Sequence, residues 1–230
     1  MMIKFFRSIV DYSKNFFQTL IDFLMPRSAI ATELMRMSKD EFIEKAGQQK
    51  EKIEIKDWTV ISIFDYRNAF VKEAIWQIKY KCNGKILKLI SSIIYDHIIS
   101  EISEKAVFEN FTKPIAIPVP LSYGRQRSRG FNQSALLVQE LSKLDLGNLF
   151  ESEFNILTKI RDTPNQTSLK RSVRLKNVLG CFGVSDKEKI RNQNIILIDD
   201  VTTTGATLSE ARQTLLSAGA REVVAFTIAH

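Results

Sequence analysis

The hydrophobic pattern changes along the chain, from helical spacing in the first half to short apolar runs between helices in the second. Helical spacing, capping residues and breakers predict helices over residues 3–24, 38–52, 68–80, 85–104, 131–144 and 206–218. Runs rich in β-branched and aromatic residues predict strands over 57–66, 114–120, 154–160, 178–184, 194–198 and 221–229. Strands that alternate with helices form βαβ units, so the sequence predicts an α/β fold with a parallel sheet flanked by helices.

The stretch IILIDDVTTTGATL, residues 195–208, carries the most distinctive chemistry. We expect a buried strand to end at Asp199 and a helix to begin near Gly205, with a turn between them. Backbone N–H groups and the dipole at a helix N-terminus favour an anion. The turn adds hydroxyl donors from Thr202, Thr203, Thr204 and Thr207. It is therefore predicted to bind a phosphate, although it lacks the lysine of a P-loop.

Two carboxylates beside a phosphate would repel it, so Asp199 and Asp200 are expected to face another part of the same ligand. Carboxylates accept hydrogen bonds from sugar hydroxyls and coordinate divalent cations. A ligand with a phosphate at one end and a diol at the other is a ribose 5-phosphate. The alternative is a plain strand–turn–helix in which aspartate and threonine cap the helix, but a cap requires neither two acids nor four threonines.

The formal net charge is +7, and the basic excess is concentrated in residues 111–180. Within that segment Arg125, Arg127 and Arg129 occupy alternate positions with no acid between them. We interpret this cluster first as a site for a polyanion, second as a contact for a nucleic-acid backbone, and third as a solvated loop.

IILIDDVTTTGAT closely resembles the phosphoribosyl pyrophosphate (PRPP) signature of type I phosphoribosyltransferases. The likeness extends to the ComF-type competence proteins of that superfamily, through residues 75–85 (IWQIKYKCNGK), 117–143 (IPVPLSYGRQRSRGFNQSALLVQELSK) and 163–182 (TPNQTSLKRSVRLKNVLGCF). The resemblance implies a type I phosphoribosyltransferase-like parallel sheet flanked by helices. The residue pattern predicts a helical N-terminal extension over residues 1–56, and the resemblance implies a phosphoribosyltransferase-like domain over 57–230, with a small hood at about 57–110.

The resemblance implies roles for individual residues. The ribose hydroxyls would be bound by Asp199 and Asp200, which would hold a metal indirectly, through the ligand. The ribose-phosphate site would comprise Asp199, Asp200, Val201, Thr202, Thr203, Thr204, Gly205, Ala206 and Thr207. The pyrophosphate would meet Arg125, Arg127, Arg129 and Lys79, and the expected catalytic residues are Asp199, Asp200 and Arg161. The basic segment 161–177 resembles one that closes over the reacting centre in this superfamily, and its alternative is an exposed loop.

The sequence also departs from the family pattern. Residues 23–34, FLMPRSAIATEL, stand where ComF-type proteins usually carry the first cysteine pair of a zinc ribbon, and Cys82 and Cys181 are isolated. We therefore expect no structural zinc, whereas Mg²⁺ is expected with PRPP. Thr203 stands where enzymes that act on 6-oxopurines carry an additional acid, which disfavours hypoxanthine or guanine as the acceptor.

Two functions follow from these features. The first is an Mg²⁺- and PRPP-dependent glycosyltransferase of nucleotide metabolism with an unidentified nitrogenous acceptor, for which Lys79 and Tyr80 are candidate contacts, although core packing explains Tyr80 and Trp76 equally well. The second is a non-catalytic accessory protein in DNA uptake, with single-stranded DNA or competence and recombination proteins as partners. Both leave a homodimer open. We expect no integral membrane segment, a cytoplasmic location and a frayed His230 at the chain end.

Overall fold

The computed structural model describes residues 29–47, 51–55, 58–161 and 178–230. The helix predicted over residues 3–24 and most of the basic segment 161–177 lie outside these ranges. The helices are α1 (Ala29–Leu34), α2 (Lys39–Ala46), α3 (Ala69–Lys81), α4 (Gly84–Glu109), α5 (Tyr123–Arg129), α6 (Gln133–Leu144) and α7 (Ala206–Ser217). The strands are β1 (Glu51–Ile55), β2 (Trp58–Phe64), β3 (Ile115–Pro118), β4 (Glu151–Ser152), β5 (Leu157–Lys159), β6 (Phe182–Val184), β7 (Asn194–Val201) and β8 (Glu222–Ala229).

A six-stranded sheet in the order β1-β2-β8-β7-β3-β4 forms the centre of the fold. Strands β2, β8, β7, β3 and β4 pair in parallel, and β1 pairs antiparallel with β2 at one edge. Helices pack on both faces, so the predicted parallel sheet flanked by helices is confirmed. No helix among the described residues is long and apolar enough to cross a membrane.

Alternate residues of β7 enter two different cores. Ile196 and Ile198 pack in the core that includes side chains of α1, α2, α3, α4 and α6, whereas Ile195 and Leu197 pack in the core that includes α7 and β6. Strands of a parallel sheet that is covered on both faces read as continuous apolar runs, which is why β7 was so clear in the sequence. Each such buried side chain contributes about 1.5–3 kcal/mol of transfer free energy.

The helix predicted over 38–52 is too long. It begins as expected, because the Ser38 and Glu41 side chains each accept a hydrogen bond from the other's backbone N–H. It ends at Ala46, since Gly47 adopts a left-handed conformation with φ 64°. Residues 51–55 form β1, in which Ile53 and Ile55 are half-buried while Lys52 and Glu54 are exposed. That period of two is a strand signal.

Two predicted strands lie outside the parallel sheet. The predictions over 154–160 and 178–184 shrink to β5 and β6, which pair antiparallel with each other, from Leu157↔Val184 to Lys159↔Phe182. These strands bracket the basic segment 162–177. The extended pattern was read correctly at its centre, but the expectation of parallel pairing is wrong for both.

The range predicted as a hood, about 57–110, contains β2, α3 and α4. Strand β2 pairs with β8 in the main sheet, and the two helices contribute side chains to the larger core. The proposed domain boundaries at 56 and 110 stay predictions. The expectation that His230 is frayed is wrong, because its N–H donates to Phe64 O at 3.1 Å and its carbonyl accepts from Tyr66 N at 2.9 Å.

Candidate functional site

The acid pair lies at the carboxyl end of β7, next to the end of β3. We expected this strand to end at Asp199, but it continues to Val201, since Asp199 pairs with Thr227 and Val201 with Ala229 of β8. Both acids are therefore positioned by the sheet and not by a loop. In parallel sheets this edge is where ligands bind.

The first two residues of α6 hold the two carboxylates. Ser134 Oγ donates to Asp199 Oδ1 at 2.9 Å, and Gln133 Nε2 donates to Asp200 Oδ2 at 2.9 Å. The helix itself is anchored by its cap, because Asn132 Oδ1 accepts from Ser134 N at 3.0 Å while Asn132 Nδ2 donates at 3.0 Å to the backbone carbonyl that follows β3. Gln133 and Ser134 are both buried, so the Gln133–Asp200 contact is buried, while the Ser134–Asp199 contact is partly buried.

Lys79 provides a cation for the same acid pair. Its Nζ lies 3.1 Å from Asp200 Oδ2, and the two side chains are 19% and 11% exposed. The sequence placed Lys79 with the pyrophosphate group. In the structure it lies between the acid pair and the basic residues described below, in the last turn of α3.

Asp199 has a strongly perturbed acidity. Burial, and after it the neighbouring Asp200 carboxylate, raise the pKa of Asp199 to about 7, while hydrogen bonds from Asp200 N and Ser134 and the charge of Lys79 act in the opposite direction. Asp199 is thus partly protonated near neutral pH. A ligand that donates hydrogen bonds to it, or that brings a cation, will favour its ionised form.

The threonine turn, residues 202–205, connects β7 to α7 and ends at Gly205, which caps the helix with φ 69°. This left-handed conformation favours glycine. A Cβ added at Gly205 would lie 2.0 Å from Cδ1 of Ile55 in β1. Glycine is therefore required here both for the backbone conformation and for the close approach of the N-terminal hairpin.

The threonines of this turn differ in their surroundings. Thr202 is buried, and its N–H donates to Ala229 O at 3.1 Å. Thr203 is exposed, and its carbonyl lies 3.2 Å from His230 Nε2. Thr204 Oγ1 accepts a hydrogen bond of 3.5 Å from the N–H of Ala206 at the start of α7.

A cavity of about 390 Å³ opens over the acid pair. Besides Asp199 and Asp200, the described residues that line it include Val201 of β7, Thr203 of the threonine turn and Thr207 of α7, together with Tyr66, Lys79, Ser122, Arg125, Arg129, Gln133 and Lys159. The cavity is therefore lined by carboxylates and hydroxyls and also by cationic side chains. Thr202, Thr204 and Gly205 of the turn and Ala206 of α7 are not among the described lining residues.

The basic residues after β3 form a short helix, α5, where a loop was predicted. Arg125 and Arg129 stand four residues apart, so they share one helix face, and both line the cavity. Arg127 stands two positions from each, is exposed, and is absent from the described residues that line this cavity. On the helix, Arg127 therefore lies on a different face from Arg125 and Arg129, although their alternate spacing had led us to group all three.

The hairpin of β5 and β6 contributes a cation that the sequence did not indicate. Lys159, the last residue of β5, lines the cavity. Arg161, the predicted catalytic arginine, is exposed, and its guanidinium donates a hydrogen bond to Leu179 O. Arg161 is not among the described lining residues, and its catalytic role stays a prediction.

Sequence reasoning also missed the roles of Gln133 and Ser134. The segment that contains them was assigned to the pyrophosphate group as a whole. The available signal was the cap residue Asn132 followed by two polar side chains, directly after a buried strand that ends at the same sheet edge as the acids.

A second, larger cavity of about 1340 Å³ adjoins the first. The two share Tyr66, Lys79, Ser122, Arg125 and Arg129. The larger cavity is also lined by Trp76 and Tyr80 of α3, which are 43% and 57% exposed. These exposures remove core packing as the explanation for the two aromatic residues.

Comparison with known proteins agrees with this architecture. The phosphoribosyl transferase domain family matches residues 94–230. Competence protein F of Haemophilus influenzae is 37% identical over 115 residues, which are 49% of this chain and 48% of that protein. Competence protein ComFC of Bacillus subtilis is 30% identical over 168 residues, 73% of this chain and 62% of that protein. DNA utilization protein YhgH of Escherichia coli (strain K12) is 37% identical over 107 residues, 46% of this chain and 45% of that protein.

The chain spans about half the length of the curated relatives it matches. Among solved structures, a hypoxanthine phosphoribosyl transferase from Trypanosoma cruzi aligns with a TM-score of 0.38 and 12% identity, over 61% of this chain and 63% of that chain. The mostly parallel sheet and the family match define the fold as that of a type I phosphoribosyltransferase. The chain belongs to the phosphoribosyl transferase domain family and, within it, to the ComF-type group.

Proposed function

We propose that the protein binds PRPP together with Mg²⁺ and transfers the phosphoribosyl group to a nitrogenous acceptor. The observation that carries this proposal is the pair Asp199 and Asp200, held by Ser134 and Gln133 in a cavity that is also lined by basic side chains. Such a cavity suits a ligand whose hydroxyls and phosphates lie at separate positions. Carboxylates accept from the hydroxyls, and guanidinium and ammonium groups donate to the phosphates.

Three parts of the cavity match three parts of that ligand. The ribose diol is proposed to meet Asp199 and Asp200, and the 5-phosphate to meet the threonine turn at the N-terminus of α7, where the helix dipole favours an anion. The pyrophosphate is proposed to lie beside Arg125 and Arg129. Lys79 adjoins both the acid pair and these arginines.

The residues present also suit the metal. Mg²⁺ prefers carboxylate and phosphate oxygens, which Asp199, Asp200 and a bound pyrophosphate offer together. When bound, Mg²⁺ would neutralise charge on the departing pyrophosphate. The chain itself contributes position and charge, because the arginines stabilise the leaving group while the acid pair faces the positive charge that develops on the ribose. Arg161 remains a proposed contributor at the start of the segment 162–177.

Calorimetry of PRPP binding with and without Mg²⁺ tests the proposal. We expect saturable binding to the unmodified protein and weakening of about ten- to a hundredfold in Asp200→Asn, since a charge-assisted hydrogen bond contributes about 1.5–3 kcal/mol. Asparagine can still accept from Gln133, so the site keeps its local packing. Asp96→Asn is the matched control, because Asp96 is an exposed acid of α4 that pairs with Lys39.

The outcomes separate clearly. Binding that Asp200→Asn weakens and Asp96→Asn leaves unchanged supports a ribose-phosphate site at the acid pair. No binding at millimolar PRPP would rule the proposal out. Equal weakening in both variants would show that the effect is not local to the site.

A second candidate is a non-catalytic accessory protein in DNA uptake. The names of three relatives, Competence protein F, Competence protein ComFC and DNA utilization protein YhgH, favour it, as does the basic and aromatic character of the larger cavity. Fluorescence anisotropy with a labelled oligothymidylate tests it. Tight DNA binding in a protein that does not bind PRPP would favour this second function over the first.

A further inference from the structure

The larger cavity forms an open groove next to the acid pair, and we call it the aromatic groove. It is defined by Tyr66, Trp76 and Tyr80 together with Lys72, Arg125 and Arg129. It shares Tyr66, Arg125 and Arg129 with the smaller cavity, so a molecule in the groove lies directly beside whatever the acid pair binds.

The rings of the groove are partly exposed, although Lys81 Nζ lies 5.6 Å from the centroid of the Trp76 ring. Tyr66, Trp76 and Tyr80 are 39%, 43% and 57% exposed. Trp76 and Tyr80 are four residues apart on α3 and lie against each other, with ring centroids 5.8 Å apart and an angle of 44° between the rings. Three clustered aromatic side chains that face one groove are characteristic of a binding surface, whereas a single exposed ring requires no explanation.

The charge of the groove is positive. Lys72, Lys79, Arg125 and Arg129 line it, against Glu73 as the acid among its described lining residues. Glu73 is engaged within α3, where its Oε1 accepts from Gln77 Nε2 at 2.8 Å. Arg129 lies over the Tyr80 ring, with its guanidinium carbon 5.3 Å from the ring centroid. A guanidinium held in this way can donate to an anionic group on a molecule that packs against the rings.

We propose that the aromatic groove is the acceptor subsite, and that the acceptor is a planar aromatic molecule that carries a carboxylate or similar anionic group. This inference rests on the proposed phosphoribosyl transfer. In the step, the lone pair of a ring nitrogen forms a bond to ribose C1, the C1–O bond to pyrophosphate breaks, and its electron pair leaves with the pyrophosphate. A proton on that nitrogen passes to solvent, and a ring nitrogen without one, as in a pyridine, keeps the positive charge. The Trp76–Tyr80 pair packs against the ring of the acceptor, and Arg129 donates hydrogen bonds to the anionic group of the acceptor.

The two tryptophans of the chain make a direct test feasible. Trp58 lies away from the groove, with its Nε1 donating to Ser209 Oγ at 3.4 Å and Arg212 5.0 Å above its ring. Labelling with 5-fluorotryptophan gives one ¹⁹F resonance for each tryptophan, and the variant Trp58→Phe assigns them. Trp76 then reports on the groove, while Trp58 serves as an internal control in the same molecule.

The probes are acids and their neutral counterparts with the same ring, nicotinate against nicotinamide and orotate against uracil, each with and without PRPP and Mg²⁺. We expect at least one acid to shift the Trp76 resonance saturably, at least about tenfold more tightly than its neutral partner, because an anion gains charge-assisted hydrogen bonds. The Trp58 resonance should stay in place. Because Arg129 is also proposed to meet the pyrophosphate, the variants are compared without PRPP: Arg129→Gln should abolish the preference for the acid, and Arg127→Gln, a neighbour on the same helix, should preserve it.

Three results would overturn the inference. Neutral probes that bind as tightly as the acids would show that the groove does not select for an anionic group. A Trp76 resonance that moves with none of the probes would show that the groove does not bind an aromatic acid. A resonance that moves only with oligothymidylate would make the groove a nucleic-acid surface. Calorimetry with PRPP distinguishes these failures from failure of the proposed function, because it reports on the acid pair independently.

Discussion

Lys79 Nζ lies 3.1 Å from Asp200 Oδ2, and this ion pair connects the last turn of α3 to the carboxyl end of β7. The same carboxylate oxygen accepts a hydrogen bond from Gln133 at the start of α6. Two helices therefore stabilise Asp200 in the free protein. In the proposed complex a sugar hydroxyl must share this acid with Lys79 or displace Lys79, so we expect the ion pair to affect both stability and ligand affinity.

Replacing Lys79 should cost more stability than replacing a lysine of an exposed pair. We expect Lys79→Met to lower the free energy of unfolding by about 1–3 kcal/mol, because it leaves a buried carboxylate without its cation. The control Lys39→Met removes an exposed pair with Asp96 and should cost at most about 1 kcal/mol. Chemical denaturation measures both. Adding Asp200→Asn to Lys79→Met should recover part of the lost stability, because it removes the unpaired charge. Equal losses of stability in Lys79→Met and Lys39→Met would contradict the prediction.

The raised pKa of Asp199 predicts a pH-dependent stability. Its folded pKa of about 7 lies above the ordinary value of 3.8, so the folded state binds more protons than the unfolded state between these two values. Stability therefore falls as pH rises through this window. We expect Asp199→Asn to flatten that dependence and to be more stable than the unmodified protein at pH 8 by on the order of 1–3 kcal/mol. Denaturation at pH 5 and pH 8 measures the effect, and parallel pH profiles for the two proteins would count against it.

Gly205 should be far less tolerant of alanine than another glycine of the same conformation. Gly205→Ala places a Cβ against Ile55, whereas Gly180 has φ 65° and nothing within 4 Å of the added carbon. Gly180→Ala should therefore show the conformational cost alone, about 1 kcal/mol. Gly205→Ala should cost about 1–3 kcal/mol more, as for overpacking. Combining it with Ile55→Ala should relieve the steric part, and thermal or chemical denaturation that finds no relief would argue against the contact.

Arginines on different faces of α5 should differ in their effect on PRPP binding. We expect Arg125→Gln to weaken PRPP binding by about tenfold or more, because the side chain lines the cavity and donates to phosphate in the proposed complex. Arg127→Gln removes the same charge from the same helix at an exposed position and should have an effect within about threefold. Calorimetry at two salt concentrations measures both. Equal weakening would indicate a long-range charge effect in place of direct contact.

Much of the fold could be predicted because most elements have a clear hydrophobic periodicity in the sequence. β7 and β8 are buried on both faces and read as unbroken apolar runs, and α3 and α7 show helical spacing near their observed bounds. The errors arose where two patterns compete. The five residues of β1 carry charges that suit a helix surface, and β5 and β6 are too short to indicate whether they pair with the main sheet or with each other.

The site was predictable in part. Asp199 and Asp200 were identified because two acids beside a threonine-rich turn have few structural explanations. Gln133 and Ser134 were missed because their function depends on where α6 begins in space, more than 60 positions from the acids. Arg127 was grouped with Arg125 and Arg129 because the segment was predicted to be a loop. In the helix that forms instead, a residue two positions away lies on a different face.

The pairing of β2 with β8 determines which part of the chain can exist alone. The family match covers residues 94–230, but β2 lies before it and hydrogen-bonds along β8 from Val60↔Ala225 to Phe64↔Ala229. A fragment cut at the start of the match would leave the backbone donors and acceptors of β8 unpaired on an apolar strand, which is a template for edge-to-edge aggregation. The segment that carries the family signature is therefore smaller than the unit that remains monodisperse, and expression trials should retain the first two strands.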